Sequence, residues 1–529
     1  MSGPKHGERH RPIVYIRGYA GKQAEVEDTV ATPHMGFNLG STKMRQAWTG
    51  EIDVHIFESP LVRLMKDHGY VDAYRNGERF PAEGEEIPAA SVWIYRYYDN
   101  TSQAIGSGLR PEIEDHARGL RRFIERIQTA VGAEGDPEFS VYLVAHSMGG
   151  LICRAYLQNP EIDGLPDRSF GDWRDKGVAK VFTIATPHGG IEFRRGLSWA
   201  ESIRDFFDAN NSGNFGPRRM REFLGLQEND RLSSLNGQFP PDRFFCMVGT
   251  DATDYGVAWG LSKASVGPMS DGLVTIRNAT VDGAPRAFTH RSHSGHFGIV
   301  NDETSYQNMV RFLFGDVRVD GRLLIEELSL PPKVQRAHEE GKRVRASYHI
   351  EAILRVRGKR WDLHRRLVTE GSAIFREFDE LLRVDRVPGL DRPRHPVLFS
   401  TYLSRGAVVN PHRKSLGFSL DLHVRVPDYY VEKRFWPDDH FEGGYIYREK
   451  LNFEVTPPRS EGDGWKLRYG SDERTPNRVT RAVEPVEAAN DDGAIRYRIP
   501  VNSAANARPG IRAVLELECR SCDSDEVTP

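Results

Sequence analysis

A mostly apolar run, Phe139-Ser140-Val141-Tyr142-Leu143-Val144-Ala145, passes without a spacer into His146-Ser147-Met148-Gly149-Gly150 and then into Leu151-Ile152-Cys153-Arg154-Ala155-Tyr156-Leu157. The first run is short, apolar and free of glycine and proline, as expected of a strand buried on both faces. The last reads as a helix. Such a strand needs a layer on each side, and a strand that turns directly into a helix belongs to a crossover unit of a parallel sheet. The bend between them must be tight. Positions two before and two after Ser147 must then be small, because strand and helix crowd there. Ala145 and Gly149 meet that need.

The same style recurs over the first part of the chain. Pro12-Ile13-Val14-Tyr15-Ile16 reads as a strand ending at Arg17-Gly18-Tyr19-Ala20-Gly21, and Ser91 to Tyr98 reads as another. Ile113, Ala117, Leu120, Ile124, Ile127 and Val131 recur at helical spacing, with Pro111 near the start. Val178 to Ala185 and Arg243 to Gly249 are further buried strands. Residues 188–241 are more polar, and their place between two sheet strands suits a helical cap over a site. From 317 onward the pattern changes to period two, as in Ala346 to Val356, Gly417 to Val426 and Arg512 to Cys519. Alternation with turn-rich spacers predicts an antiparallel, sandwich-like domain over 317–529, with Pro331-Pro332-Lys333 in an early loop.

Composition narrows the function classes. Hydrophobic residues make up 39% and charged residues 28%, a globular balance rather than a disordered or membrane one. A formal net charge of −3 gives no electrostatic case for nucleic acid. The segment Met1 to Pro12 lacks the apolar core of a secretory signal, and no run of about 18 apolar residues offers a membrane span. Four cysteines are too few for a disulfide framework at this length. Cytoplasmic residence is the default expectation; export without an N-terminal signal and peripheral membrane contact stay open, and oligomeric state is not legible.

The chemistry sits at the bend. A serine hydroxyl at neutral pH is a poor nucleophile and needs a base within hydrogen-bond reach, itself oriented by an acid. The five-residue pattern around Ser147 arises by chance about once in a chain this long, so its setting between buried strand and helix carries the weight. Thr289 to His296 offers three histidines. Asp271, before Gly272, sits where a tight turn would aim a carboxylate; Asp251 and Asp254 are its rivals. His146 reads as structural or as part of the site wall.

The segment resembles the nucleophile elbow of bacterial lipases and esterases of the α/β-hydrolase superfamily. Ile16-Arg17-Gly18-Tyr19 resembles their first-strand end, Ala185-Thr186-Pro187-His188-Gly189-Gly190 the run after their next strand, and Ser270-Asp271-Gly272-Leu273-Val274 their acid-bearing segment. Gly295 to Asn301 resembles their histidine loop. The likeness covers residues 10–316 in the order serine, acid, histidine. It departs at Arg17, where those lipases carry histidine.

The resemblance implies a mostly parallel α/β-hydrolase sheet with helices on both faces. It also implies a triad of Ser147, Asp271 and His296, with His293 as the alternative base and His290 the least favoured. The oxyanion donors would be the backbone amides of Met148 and of Tyr19, or else Ala20. The implied substrate is an acyl ester or lipid-like small molecule, with no cofactor and no metal. Acyltransferase, thioesterase and phospholipase activities share that triad, and an inactive hydrolase fold used for binding is a reading of another class. Cys519-Arg520-Ser521-Cys522 lacks the further ligands of a zinc site. Arg194-Arg195 and Arg218-Arg219 read as solvated cap surface.

Overall fold

The computed structural model describes residues 10–18, 23–46, 50, 52–73, 85, 87–163, 176–191, 216–252, 269–294, 298–357, 361–382, 395–432, 439–460, 463–472, 479–486 and 494–522. The chain forms two compact units, Met1–Met309 and Val310–Pro529. It passes from one to the other within the helix Glu303–Phe314, slightly before residue 317, where the sequence pattern changes.

In the first unit the elements run β1 (Ile13–Ile16), α1 (Gln23–Ala31), β2 (Ser41–Gln46), β3 (Ile52–Phe57), α2 (Pro60–His68), β4 (Val71–Asp72), β5 (Ser91–Ile94) and α3 (Ile113–Ala130). Then come β6 (Val141–His146), α4 (Met148–Gln158), β7 (Val178–Ile184), β8 (Phe244–Gly249) and β9 (Arg286–Thr289). Seven strands make one sheet in the order β4-β5-β1-β6-β7-β8-β9, and every neighbouring pair is parallel. β2 and β3 form a separate antiparallel hairpin.

Alternation along the strands shows why helices cover both faces. Val14, Trp93 and Leu143 lie in register on one face, where Trp93 meets Phe123 of α3 edge-on. Tyr15 and Val144 lie in register on the other, where the Tyr15 hydroxyl reaches Met309 Sδ of the helix Glu303–Phe314. The helical stripe read from the sequence is the buried face of α3: Ile113, Ala117, Leu120, Ile124 and Ile127. Ser91 to Tyr98 departs from expectation. Its strand stops at Ile94 and a 3-10 turn follows over Tyr97–Asp99.

Burial also sets how the unit responds to pH. Desolvation pushes His116 down to about 4 and holds His146 and His188 well below the ordinary imidazole range. The unfolded chain takes up these protons near pH 6.5, whereas the folded chain refuses them. Stability is therefore full above about pH 6.5 and falls as the pH drops below it, by up to about 1.4 kcal/mol per pH unit for each such histidine. Urea denaturation at pH 7 and pH 5 should give a lower midpoint at pH 5. An unchanged midpoint would show that these imidazoles titrate normally.

The second unit is antiparallel throughout. Its strands are β10 (Val317–Ser329), β11 (Val344–Val356), β12 (His364–Arg366), β13 (Ile374–Glu377), β14 (Val397–Leu403), β15 (Leu416–Val431), β16 (Asp439–Thr456), β17 (Lys466–Ser471), β18 (Arg481–Val483), β19 (Ile495–Asn502) and β20 (Gly510–Ser521). One sheet has the order β14-β10-β20-β19, and the other runs β12-β11-β15-β16-β17-β18 with β13 beside β11. The predicted alternating runs lie within β11 (Val344–Val356), β15 (Leu416–Val431) and β20 (Gly510–Ser521). Their inward residues, including Ile350, Leu354, Leu420, Val424, Leu515 and Leu517, join one core shared by both sheets. The loop expected at Pro331-Pro332-Lys333 instead opens the helix Pro332–Glu339, since proline is tolerated in a first helical turn. Cys519 is buried on its strand.

Candidate active site

Ser147 stands between β6 and α4 with φ 52° and ψ −123°. A non-glycine residue in that region is strained and persists only where its surroundings over-determine it. Here they do. The Ser147 amide donates to Ile184 O of β7 at 2.9 Å, and Thr186 Oγ1 and the Gly150 amide donate to Ser147 O at 2.9 and 3.0 Å. Smallness nearby is required. A Cβ on Gly149 would lie 2.5 Å from Ile16 O, and one on Gly18 would lie 2.7 Å from the Ser147 Cβ. Two neighbouring backbones thus hold the serine above the sheet.

The Ser147 hydroxyl donates to His293 Nε2 at 2.9 Å, and His293 Nδ1 donates to Asp271 Oδ2 at 2.9 Å. Asp271 is 1% exposed. Its other oxygen, Oδ1, accepts from the Leu273 and Val274 amides at 3.0 and 2.7 Å, which leaves Oδ2 to the imidazole. The His293 amide donates to Asp271 O at 2.9 Å, so acid and imidazole loops are tied at backbone and side chain alike. His146 closes the arrangement. Its Nε2 donates to His293 O at 3.0 Å. Burial, with His293 adding to it, holds His146 well below its ordinary value, so it is a neutral donor.

The end of β1 lies against this group. Tyr97 Oη donates to Arg17 O at 2.9 Å and Tyr98 Oη to Gly18 O at 3.1 Å. The Arg17 guanidinium bonds Met35 O, and burial lowers its pKa. The side chain that replaces the lipase histidine is therefore used to hold the neighbouring turn.

The sequence from 98 to 214 matches the family described as PGAP1-like alpha/beta domain. Together with a parallel sheet whose β6 turns through a strained serine into α4, this decides the fold. The first unit has an α/β-hydrolase-like fold. Among solved structures, the Bacillus licheniformis lipase BlEst2 in mature form is 17% identical, with 59% of this chain and 96% of that one covered and a TM-score of 0.26. The lin2722 product of Listeria innocua is 15% identical, covering 58% and 94%, with a TM-score of 0.27. Phospholipase PlaB from Legionella pneumophila is 11% identical, covering 82% and 89%, with a TM-score of 0.30. At such identities and scores nothing about substrate follows from them. Comparison with curated proteins gives no match.

Within the first unit, Ser147 and Asp271 are joined through His293, the alternative base of the sequence reading. The first choice, His296, lies outside the described residues, as do Tyr19, Ala20 and Asp254. Met148 is buried and opens α4, where the first amides have no partner within the helix. His290 lies beside Asp251 instead, 3.8 Å away.

Part of the expected cap, residues 192–215 with Arg194-Arg195, also falls outside. The described part, 216–241, is fastened to α3 and α4. Arg219 pairs with Glu114 at 2.6 Å and Glu112 at 3.2 Å, so it is an anchor rather than solvated surface. Arg154, fully buried in α4, donates to His188 O, Leu232 O and Ser234 O. Among the described residues no cluster of His, Cys, Asp or Glu could hold a metal ion, and no helix is long and apolar enough to cross a membrane. Sequence reading missed the parts played by Thr186, Tyr97 and Tyr98, whereas His146 has the structural place in the site wall expected of it. The only local signal was two adjacent tyrosines after a buried strand.

Proposed function

We propose that the chain is a serine hydrolase that cleaves carboxylic esters of an acyl-bearing, lipid-like substrate. One observation carries the reading: the unbroken hydrogen-bonded series from the Ser147 hydroxyl through His293 to Asp271. Ser147 Oγ attacks the acyl carbon while its proton passes to His293 Nε2. Asp271 keeps the imidazole in the tautomer that presents Nε2 and stabilises the cation that forms. The oxyanion is held by the Met148 amide and by an amide of the loop after β1, which the resemblance assigns to Tyr19. His293 then protonates the leaving alcohol. Water repeats the cycle on the acyl-enzyme and releases the acid.

A fluorophosphonate probe should label the purified protein, and p-nitrophenyl esters of increasing chain length should be turned over with a preference for longer acyl groups. A folded protein that the probe leaves untouched would sink the enzyme reading. Labelling combined with a strict preference for acetyl would sink the lipid-like substrate alone.

A further inference from the structure

We propose that Tyr97 and Tyr98 are positioning residues for the nucleophile, their hydroxyls holding the backbone at the end of β1 in the orientation that reaction at Ser147 requires. The inference rests on the serine hydrolase reading. Successive residues of a strand point to opposite faces, so adjacent tyrosines would ordinarily part company. Here the chain leaves the strand after Ile94 and both fall in the 3-10 turn Tyr97–Asp99. Their rings pack 4.3 Å apart between centroids, and both are buried. The Tyr97 hydroxyl donates to Arg17 O at 2.9 Å and also lies 3.2 Å from Gly18 O, which accepts from Tyr98 Oη at 3.1 Å. The Tyr97 ring is wedged against His116, 4.6 Å away, so it has little room to swing. Burial raises the Tyr97 phenol well above its ordinary value, which keeps it a donor.

The two carbonyls so held belong to the peptides that frame the serine. A Cβ on Gly18 would lie 2.7 Å from the Ser147 Cβ, and one on Gly149 would lie 2.7 Å from Arg17 O. A peptide is planar and trans, so a fixed carbonyl fixes the amide at the other end of the same plane. Holding Arg17 O sets the direction of the Gly18 amide, and holding Gly18 O sets the peptide that leaves Gly18. The phenols thus act on the reaction through backbone, without touching the substrate.

The test compares wild type with Tyr97→Phe, Tyr98→Phe, the double variant and Tyr95→Phe. Tyr95 is the control, since its hydroxyl, on a side chain that is also buried, donates to His116 O at 2.8 Å rather than to Arg17 O or Gly18 O. For the double variant kcat on a p-nitrophenyl ester, and with it the rate of fluorophosphonate labelling, should fall on the order of 10- to 100-fold with KM nearly unchanged, short of the loss of a direct oxyanion donor. Each single variant should fall less, and Tyr95→Phe should keep wild-type kcat. A double variant with wild-type kcat, or a Tyr95→Phe variant that falls as far, would overturn the inference. Should the double variant fail to fold, the single variants carry the same comparison. Absence of labelling in wild type would remove the serine hydrolase reading itself, a different outcome from wild-type labelling that survives loss of both hydroxyls.

Discussion

Replacing Ser147 with alanine is expected to abolish fluorophosphonate labelling and to lower ester turnover on the order of 10⁵- to 10⁶-fold, the loss typical when the nucleophile of such a unit is removed. The reason lies in how little else can do its work. The serine is the group that the bend lifts above the sheet, and His293 Nε2 lies 2.9 Å from its oxygen. Without that hydroxyl no acyl-enzyme forms, and only the slow contribution of bound, polarised ester remains. The fold should survive, because the bonds that hold the bend are made by the backbone amide and carbonyl of residue 147, and alanine keeps both. Intact-mass measurement after probe treatment, beside a thermal melt, reads both points. An alanine variant that still takes up one probe molecule would mean that another residue is the nucleophile.

The second large effect separates the two histidines. His293→Ala should lose on the order of 10⁴-fold or more in kcat, while His296→Ala should stay within a few-fold of wild type. His293 has both ring nitrogens engaged, one with Ser147 and one with Asp271, and its own amide is tied to Asp271 O. One imidazole satisfies base and acid together, so a second has no proton to take. Steady-state rates of the two variants on one p-nitrophenyl ester decide the matter. The reverse order, with His296→Ala inert and His293→Ala active, would refute the assignment of the base.

Much of this was legible in the order of residues. The buried strands of the first unit, the helical stripe of α3 and the alternating runs of the second unit each come from a local period that burial imposes. The bend at Ser147 was legible because a strand touches a helix there with only small residues at the crowded positions. Other features were not local. Arg154 reads as one more helical residue, yet it is fully buried because three carbonyls from the distant stretches around His188 and Leu232 converge on it. Arg219 reads as solvated, yet Glu112 and Glu114 at the start of α3 come to meet it.

By itself, then, the sequence determined a parallel α/β sheet with a serine at its tightest bend, followed by an antiparallel domain, because periodicity and crowding act between near neighbours. Only the tertiary structure decided which imidazole stands between Ser147 and Asp271, and that His146, Tyr97 and Tyr98 brace the backbone around them. Those relations run through space between loops far apart in the chain. Hydrogen bonds with a reach of about 3 Å depend on how the loops close, and no spacing along the chain records that.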